Sequence, residues 1–320
     1  MSYLGHEQAW SEWRAAMASP RMHHAWILAG KKGIGKAGFA MQAARELVAE
    51  PGVEQPQGDH ADIITLTNLP ANKDEEKKKE QGKPFQLKRN IAVDQIREMQ
   101  HRLTTRPTLG SRRAIIIDPA DDLEKGAANA LLKSLEEPPV GSFFLLVTHR
   151  PGRLLPTIRS RCRVLSFPQL DEAALETILM REAPEADQET RQAAIAASAG
   201  SPGAALEFVE QDLGKLHSLM LDIVQSGDPD FTRRGSLADA MGARPDRNRQ
   251  LAALELARSV VASQMQNIEH QAIPGVVETH ADLSRLAAQA PTYNFDAGLL
   301  VMEIGTLLTK VAPSSAPRDG

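Results

Sequence analysis

Eight residues constrain this chain more than any others: Gly30-Lys31-Lys32-Gly33-Ile34-Gly35-Lys36-Ala37. They fit G-x-x-x-x-G-K, a loop whose backbone N–H groups surround phosphate while the lysine reaches further along it. The flanking residues agree. Ala25 to Ala29 is a short apolar run of the kind buried in a parallel sheet. Beyond the loop, Phe39, Ala43 and Leu47 recur every four residues until Pro51-Gly52, the spacing of a helix with a defined end. Strand, glycine-rich loop and helix in that order aim N–H groups and the positive helix end at an anion. Gly30, Gly33, Gly35 and Lys36 are therefore candidate ligands of a nucleotide, against the competing reading of a glycine-rich turn that binds nothing. Ala37 stands where Ser or Thr would offer a hydroxyl to Mg²⁺.

From residue 1 to 168 the pattern alternates helix and strand. Trp10, Trp13 and Met17 share one face of a first helix, about 5–18, and read as core. Strands are expected at Ala61–Leu66, Arg112–Asp118, Phe143–Val147 and Val164–Phe167, with helices through Val93–Leu103 and Ala128–Leu135. Asp118 ends its strand as a candidate metal-associated acid, and Pro119 follows where a hydrolysing enzyme of this type would carry Glu. Repeated α and β elements imply a mostly parallel sheet covered on both faces, an α/β domain. Residues 68–90 interrupt it with Lys73 to Glu80, a run of mixed charge without an apolar residue, and a solvated flexible insertion is expected.

After Pro168 the strands stop. Short helices are expected over 169–212 and an all-helical region over 213–311, with stripes such as Leu213, Leu216, Met220, Ile223 and Leu251, Leu254, Val261, Met265 as core. Residues 312–320 read as a frayed tail.

Composition excludes several classes. A formal net charge of −4 gives no overall pull toward nucleic acid, so any such contact needs a local basic face or partner chains. Cys162 is the only cysteine, which leaves no intrachain disulfide and no thiolate zinc cluster and suits a reducing cytoplasm. The start lacks a secretory pattern, and no stretch approaches the ~20 apolar residues of a membrane span.

Three further segments join the loop and the Asp118 strand: Ala128-Asn-Ala-Leu-Leu-Lys-Ser-Leu-Glu-Glu-Pro-Pro139, Ile158-Arg-Ser-Arg-Cys162, and the Gly200 to Leu206 turn. Together they resemble the ATPase-like subunits of bacterial DNA clamp loaders, in the AAA+ class, and most of all the delta-prime type. His23-His24-Ala25-Trp26 and His60-Ala61-Asp62 add to the likeness, which covers residues 20–210. The resemblance implies a P-loop AAA+ domain over 1–168, a helical lid over 169–212 and a helical collar for oligomerisation over 213–311. It also implies roles. Lys36 would meet the β- and γ-phosphates of ATP, Asp118 would be the Mg²⁺-associated acid, and Thr148 would occupy the sensor-1 position. A hydroxyl that merely satisfies a strand end is an equal reading of Thr148. Arg161 would be an arginine finger reaching ATP held by the neighbouring subunit, the alternative being a surface arginine in a local ion pair.

The departures point one way. Ala37, Pro119 and Gly203 stand where hydrolysing relatives carry a Mg²⁺ ligand, a water-polarising carboxylate and the sensor-2 arginine. The segment Val48 to Asp62 lacks the four cysteines of the zinc module found in many relatives, so no zinc is expected. The implied function is a non-hydrolysing clamp-loader subunit that binds ATP without splitting it. Its partners would be motor and clamp-opening subunits, the sliding clamp and primed DNA. The rivals are an active gamma/tau-type ATPase, a P-loop metabolite kinase and a sequence-specific DNA-binding regulator.

Overall fold

A computed structural model describes residues 5–83, 85–265, 270–290 and 295–312. The chain divides into two compact units, residues 1–169 and 170–320.

In the first unit, helix α1 (Glu7–Met17) precedes β1 (Ala25–Gly30), α2 (Lys36–Val48), β2 (Ile63–Leu66), α3 (Lys73–Glu80), α4 (Val93–Leu103) and β3 (Arg113–Ile117). Then come α5 (Lys125–Glu136), β4 (Ser142–Thr148), the single turn α6 (Pro156–Arg159) and β5 (Arg163–Phe167). All five strands are parallel, in the order β2-β3-β4-β1-β5. Side chains alternate across the sheet, as a two-residue period requires. Trp26, Leu28, Ile116, Leu145 and Val147 face one core with Trp13, Phe39 and Leu47 of α1 and α2. Ile27, Ile115, Ile117, Phe144 and Leu146 face the other with Ile96, Met99 and Leu131 of α4 and α5. Because every strand runs the same way, the residues after β1, β3 and β4 gather at one edge of the sheet. That edge, beside the position where strand order reverses, is where α/β folds of this kind bind ligands.

The insertion differs from expectation. Residues 73–80 form α3, a helix without an apolar stripe. Its order comes from polar groups: Asn72 Oδ1 accepts the N–H groups of Asp74 (2.9 Å) and Glu75 (3.0 Å) as an N-cap. The buried Glu75 carboxylate then accepts from Gln86 N at 2.6 Å and pairs with Lys78 at 2.7 Å. Acids fill the first turn and lysines the last, matching the helix dipole. The loop from 49 to 62 is held by the Arg45 guanidinium, which donates to the carbonyls of Pro56, Gln57 and Gly58.

The second unit is wholly helical among the described residues: α7 (Glu172–Glu182), α8 (Gln188–Ser198), α9 (Pro202–Glu210), α10 (Gly214–Ser226), α11 (Thr232–Met241), α12 (Arg247–Gln264), α13 (Ile273–Gln289) and α14 (Ala297–Thr309). Leu179, Ala194 and Phe208 bury in the same core as Leu216, Met220, Leu254, Val261 and Ile304. Met265, expected in the core stripe, is exposed. It lies just past the end of α12, where the stripe has run out of partners.

Candidate functional site

The glycine-rich loop leaves β1 at Gly30 and enters α2 at Lys36. Its three glycines serve different ends. Gly33 (φ 75°) and Gly35 (φ 101°) hold left-handed backbone that a side chain would strain. Gly30 is needed for packing: a Cβ there would lie 2.6 Å from the Phe167 carbonyl oxygen of β5. At the start of α2, Gly35 supplies no side-chain cap and the first turn carries no acid, so the leading N–H groups remain without a competing anion. His6 closes the loop from behind, its Nε2 2.6 Å from the Ile34 carbonyl oxygen and its ring edge-on to Phe167.

Lys36 is 3% exposed, and its ammonium donates to the carbonyls of Gly30 (2.7 Å) and Lys31. Burial pulls its pKa down to about 8, against the opposing pull of Asp118 and Asp121. Asp118, just past β3, is shifted the other way: burial raises its pKa, Lys36 counters it, and Asp121 and Asp122 add to the rise. His149, just past β4, falls to about 4 through burial and then the charge of Lys36, so the ring is neutral at pH 7. The fold thus brings Lys36, Asp118 and the end of β4 together, as the motifs required.

Asp121 was not legible as a site residue, yet it organises this edge. Its carboxylate accepts the Thr148 hydroxyl at 2.6 Å, His149 N at 2.6 Å and Arg150 N at 3.2 Å. Thr148 is fully buried, and its oxygen also accepts from Arg150 N at 3.1 Å. Its single donor is committed within the chain, which favours the strand-end reading over a phosphate sensor. An acid three residues beyond a strand-ending Asp is the only sequence signal that could have pointed to Asp121.

Triphosphate and metal fare differently in a fit test. The uncapped start of α2, the left-handed glycines and Lys36 suit phosphate. Position 37 brings no side-chain oxygen ligand. The cradle fits a phosphate chain, and a Mg²⁺ there would have Asp118 beside it but no hydroxyl ligand from position 37.

Arg161 lies elsewhere. It follows α6 and stands two residues before Arg163, which pairs with Trp26 at the start of β1, whereas the loop begins at Gly30, opposite Phe167. Arg161 and Lys36 are therefore at opposite edges of the sheet, separated by four strand steps or about 13 Å along β1 alone. The guanidinium makes the local ion pair of the competing reading, with Glu136 of α5 at 2.7 Å, and Nη1 donates to the Thr157 carbonyl at 2.9 Å. Neighbouring Cys162 is half-buried, and that burial lifts its thiol to about 12.

Comparison with known proteins gives this geometry a family. Residues 5–171 match the family model described as DNA polymerase III, delta subunit. The DNA polymerase III subunit delta' of Pseudomonas aeruginosa is 34% identical over 191 residues, 56% of this chain and only 53% of that protein. Its counterpart in Escherichia coli is 31% identical over 294 residues, 86% of this chain and 82% of that protein. Among solved structures, a DNA polymerase III gamma subunit-related protein from Thermotoga maritima aligns over 94% of this chain and 98% of its own, at 19% identity and a TM-score of 0.47. With half its length matched by the family model and 86% aligned to a relative above 30% identity, the chain belongs to the delta-prime family of DNA polymerase III clamp-loader subunits.

Proposed function

We propose that this chain works as a non-hydrolysing member of a clamp loader and completes an ATP site on the subunit beside it. The observation that supports the reading most is that Arg161 sits at the sheet edge away from Lys36 and so apart from the chain's own loop, as an arginine serving a neighbour's ATP would have to be. A guanidinium suits that task, because it stays charged and can fork onto phosphate oxygens. At the chain's own loop, Ala37 and Pro119 lack the groups that hold Mg²⁺ and polarise water, and Thr148 has spent its donor on Asp121. Phosphoryl transfer is catalysed by positioning and charge, so these losses compound. ATP bound here is held by loop N–H groups and by Lys36 once it leaves the carbonyls of Gly30 and Lys31, and it is not split. Gly203, in place of the sensor-2 arginine, agrees.

In this reading the second unit supplies a lid over 169–212 and a collar over 213–311 that holds sister subunits, in the cytoplasm. The assembly opens the sliding clamp, grips primed DNA and lets both go when the motor subunits hydrolyse ATP. The test is reconstitution. Mixed with a gamma/tau-type subunit, the chain should co-elute on gel filtration and raise that subunit's primed-DNA-stimulated phosphate release. Failure to co-elute would remove the clamp-loader reading.

A further inference from the structure

The ion pair on Arg161 points to a role for its partner. Glu136 is the last residue of α5, followed by Glu137 and Pro138. A carboxylate in the last turn of a helix faces the negative end of the dipole, so local preference argues against Glu there. Residues that break a local rule mark positions kept for another reason. What Glu136 gains is Arg161: Oε1 lies 2.7 Å from Nη2, with the two side chains 48% and 35% exposed. The other end of the guanidinium is held independently, Nη1 donating to Thr157 O at 2.9 Å and lying 3.4 Å from Ser160 Oγ. Ser160 Oγ in turn donates to Thr157 O at 3.1 Å. Both terminal nitrogens are thus fixed, one from α5 and one from α6, while Nε–H has no partner among the described residues. An arginine otherwise free to sample many rotamers is presented in one.

We infer that Glu136 is a positioning residue: it holds Arg161 in the pose in which the guanidinium meets the neighbouring subunit's triphosphate. The inference rests on the finger reading of Arg161 and deepens it. An exposed pair contributes little to folding, so a purely structural staple would show itself weakly and in stability alone. A positioning role acts on the transition state, which lowers turnover and leaves substrate binding in place.

The experiment uses the full chain assembled with a gamma/tau-type subunit, primed DNA and ATP. It reads the increment in phosphate release that the chain adds. Glu136→Ala should cut the kcat of that increment about fivefold, with KM for ATP changed less than about twofold and with wild-type elution and melting temperature. Glu136→Gln, which keeps an oxygen acceptor for Nη2, should recover to within about twofold of wild type. If Glu136→Ala keeps the full increment while Arg161→Ala abolishes it, the finger stands and the positioning role falls. The positioning role falls equally if the loss tracks a lower melting temperature and Gln gives no recovery. If Arg161→Ala itself keeps the increment, both fall together.

Discussion

Arg161→Ala should erase the ATPase increment that this chain gives to its motor partner. Removing one preorganised cation or donor from a phosphoryl- or acyl-transfer site costs about 10²–10³-fold in turnover or more. At that size the adjoining site falls to background. The loss should appear in kcat with KM for ATP nearly unchanged, because a finger acts chiefly on charge that develops in the transition state. Arg161→Lys should recover little, since an ammonium keeps the charge and lacks the planar fork. The variant should still fold and assemble: Arg161 is partly exposed, and a pair such as Arg161–Glu136 is worth about 0–1 kcal/mol. Equal increments from wild type and Arg161→Ala would refute the assignment.

Asp228→Ala should produce the largest loss of stability, about 3–5 kcal/mol. Asp228 and Arg234 are both buried, in the stretch that opens α11. The carboxylate accepts from Arg233 N at 2.9 Å and from Arg234 N at 3.0 Å and Nε at 2.7 Å. Arg234 also reaches the Asp228 carbonyl at 2.8 Å and Thr306 Oγ1 of α14 at 3.3 Å, and its guanidinium lies 3.8 Å from the Phe231 ring centroid. Its stem fills the space beside Gly305, where a Cβ would come within 2.5 Å of Arg234 Cγ. Removing Asp228 leaves a buried cation unpaired and three donors without their carboxylate acceptor, which is why the cost exceeds that of losing any single hydrogen bond. Replacing both partners, as in Asp228→Leu with Arg234→Met, should cost less than Asp228→Ala alone. Burial by itself would raise the Asp228 pKa, but the Arg234 side chain and the backbone N–H groups of 233 and 234 outweigh it and hold the acid below its ordinary value. A depressed acid contributes stability above its unfolded pKa, near 4. That contribution fades as pH falls through the folded value, so the gap between wild type and Asp228→Ala should close in strong acid. Denaturant midpoints at pH 7 and pH 2–3 would show both effects, and similar midpoints at pH 7 would contradict them.

The sequence disclosed the periodic parts of this protein well. Strand runs such as Ala25–Ala29 and stripes such as Ile96, Met99 and Leu103 give themselves away because burial imposes their period. The glycine loop was legible for a similar reason: backbone that must turn left-handed needs Gly33 and Gly35. What escaped notice depends on polar groups brought together by the fold. Helix α3 has no apolar face to announce it and is built on an Asn72 cap and the buried Glu75. Asp121 looks like one more surface acid after Asp118 until β4 delivers Thr148 to it. Glu136 and Arg161 are 25 residues apart and meet only because α5 and α6 pack. Asp228 and Arg234 sit in a polar stretch that reads as a loop, with nothing in the residue order to mark the pair as buried.

The central claim is that this protein lends a cation to a neighbour and does not split ATP by itself. Phosphate release from purified, partner-free chain with ATP, Mg²⁺ and primed DNA tests it most directly. The account predicts background release, unchanged by Lys36→Ala, and release above background only when a motor subunit is added. Steady turnover by the lone chain that disappears in Lys36→Ala would contradict it.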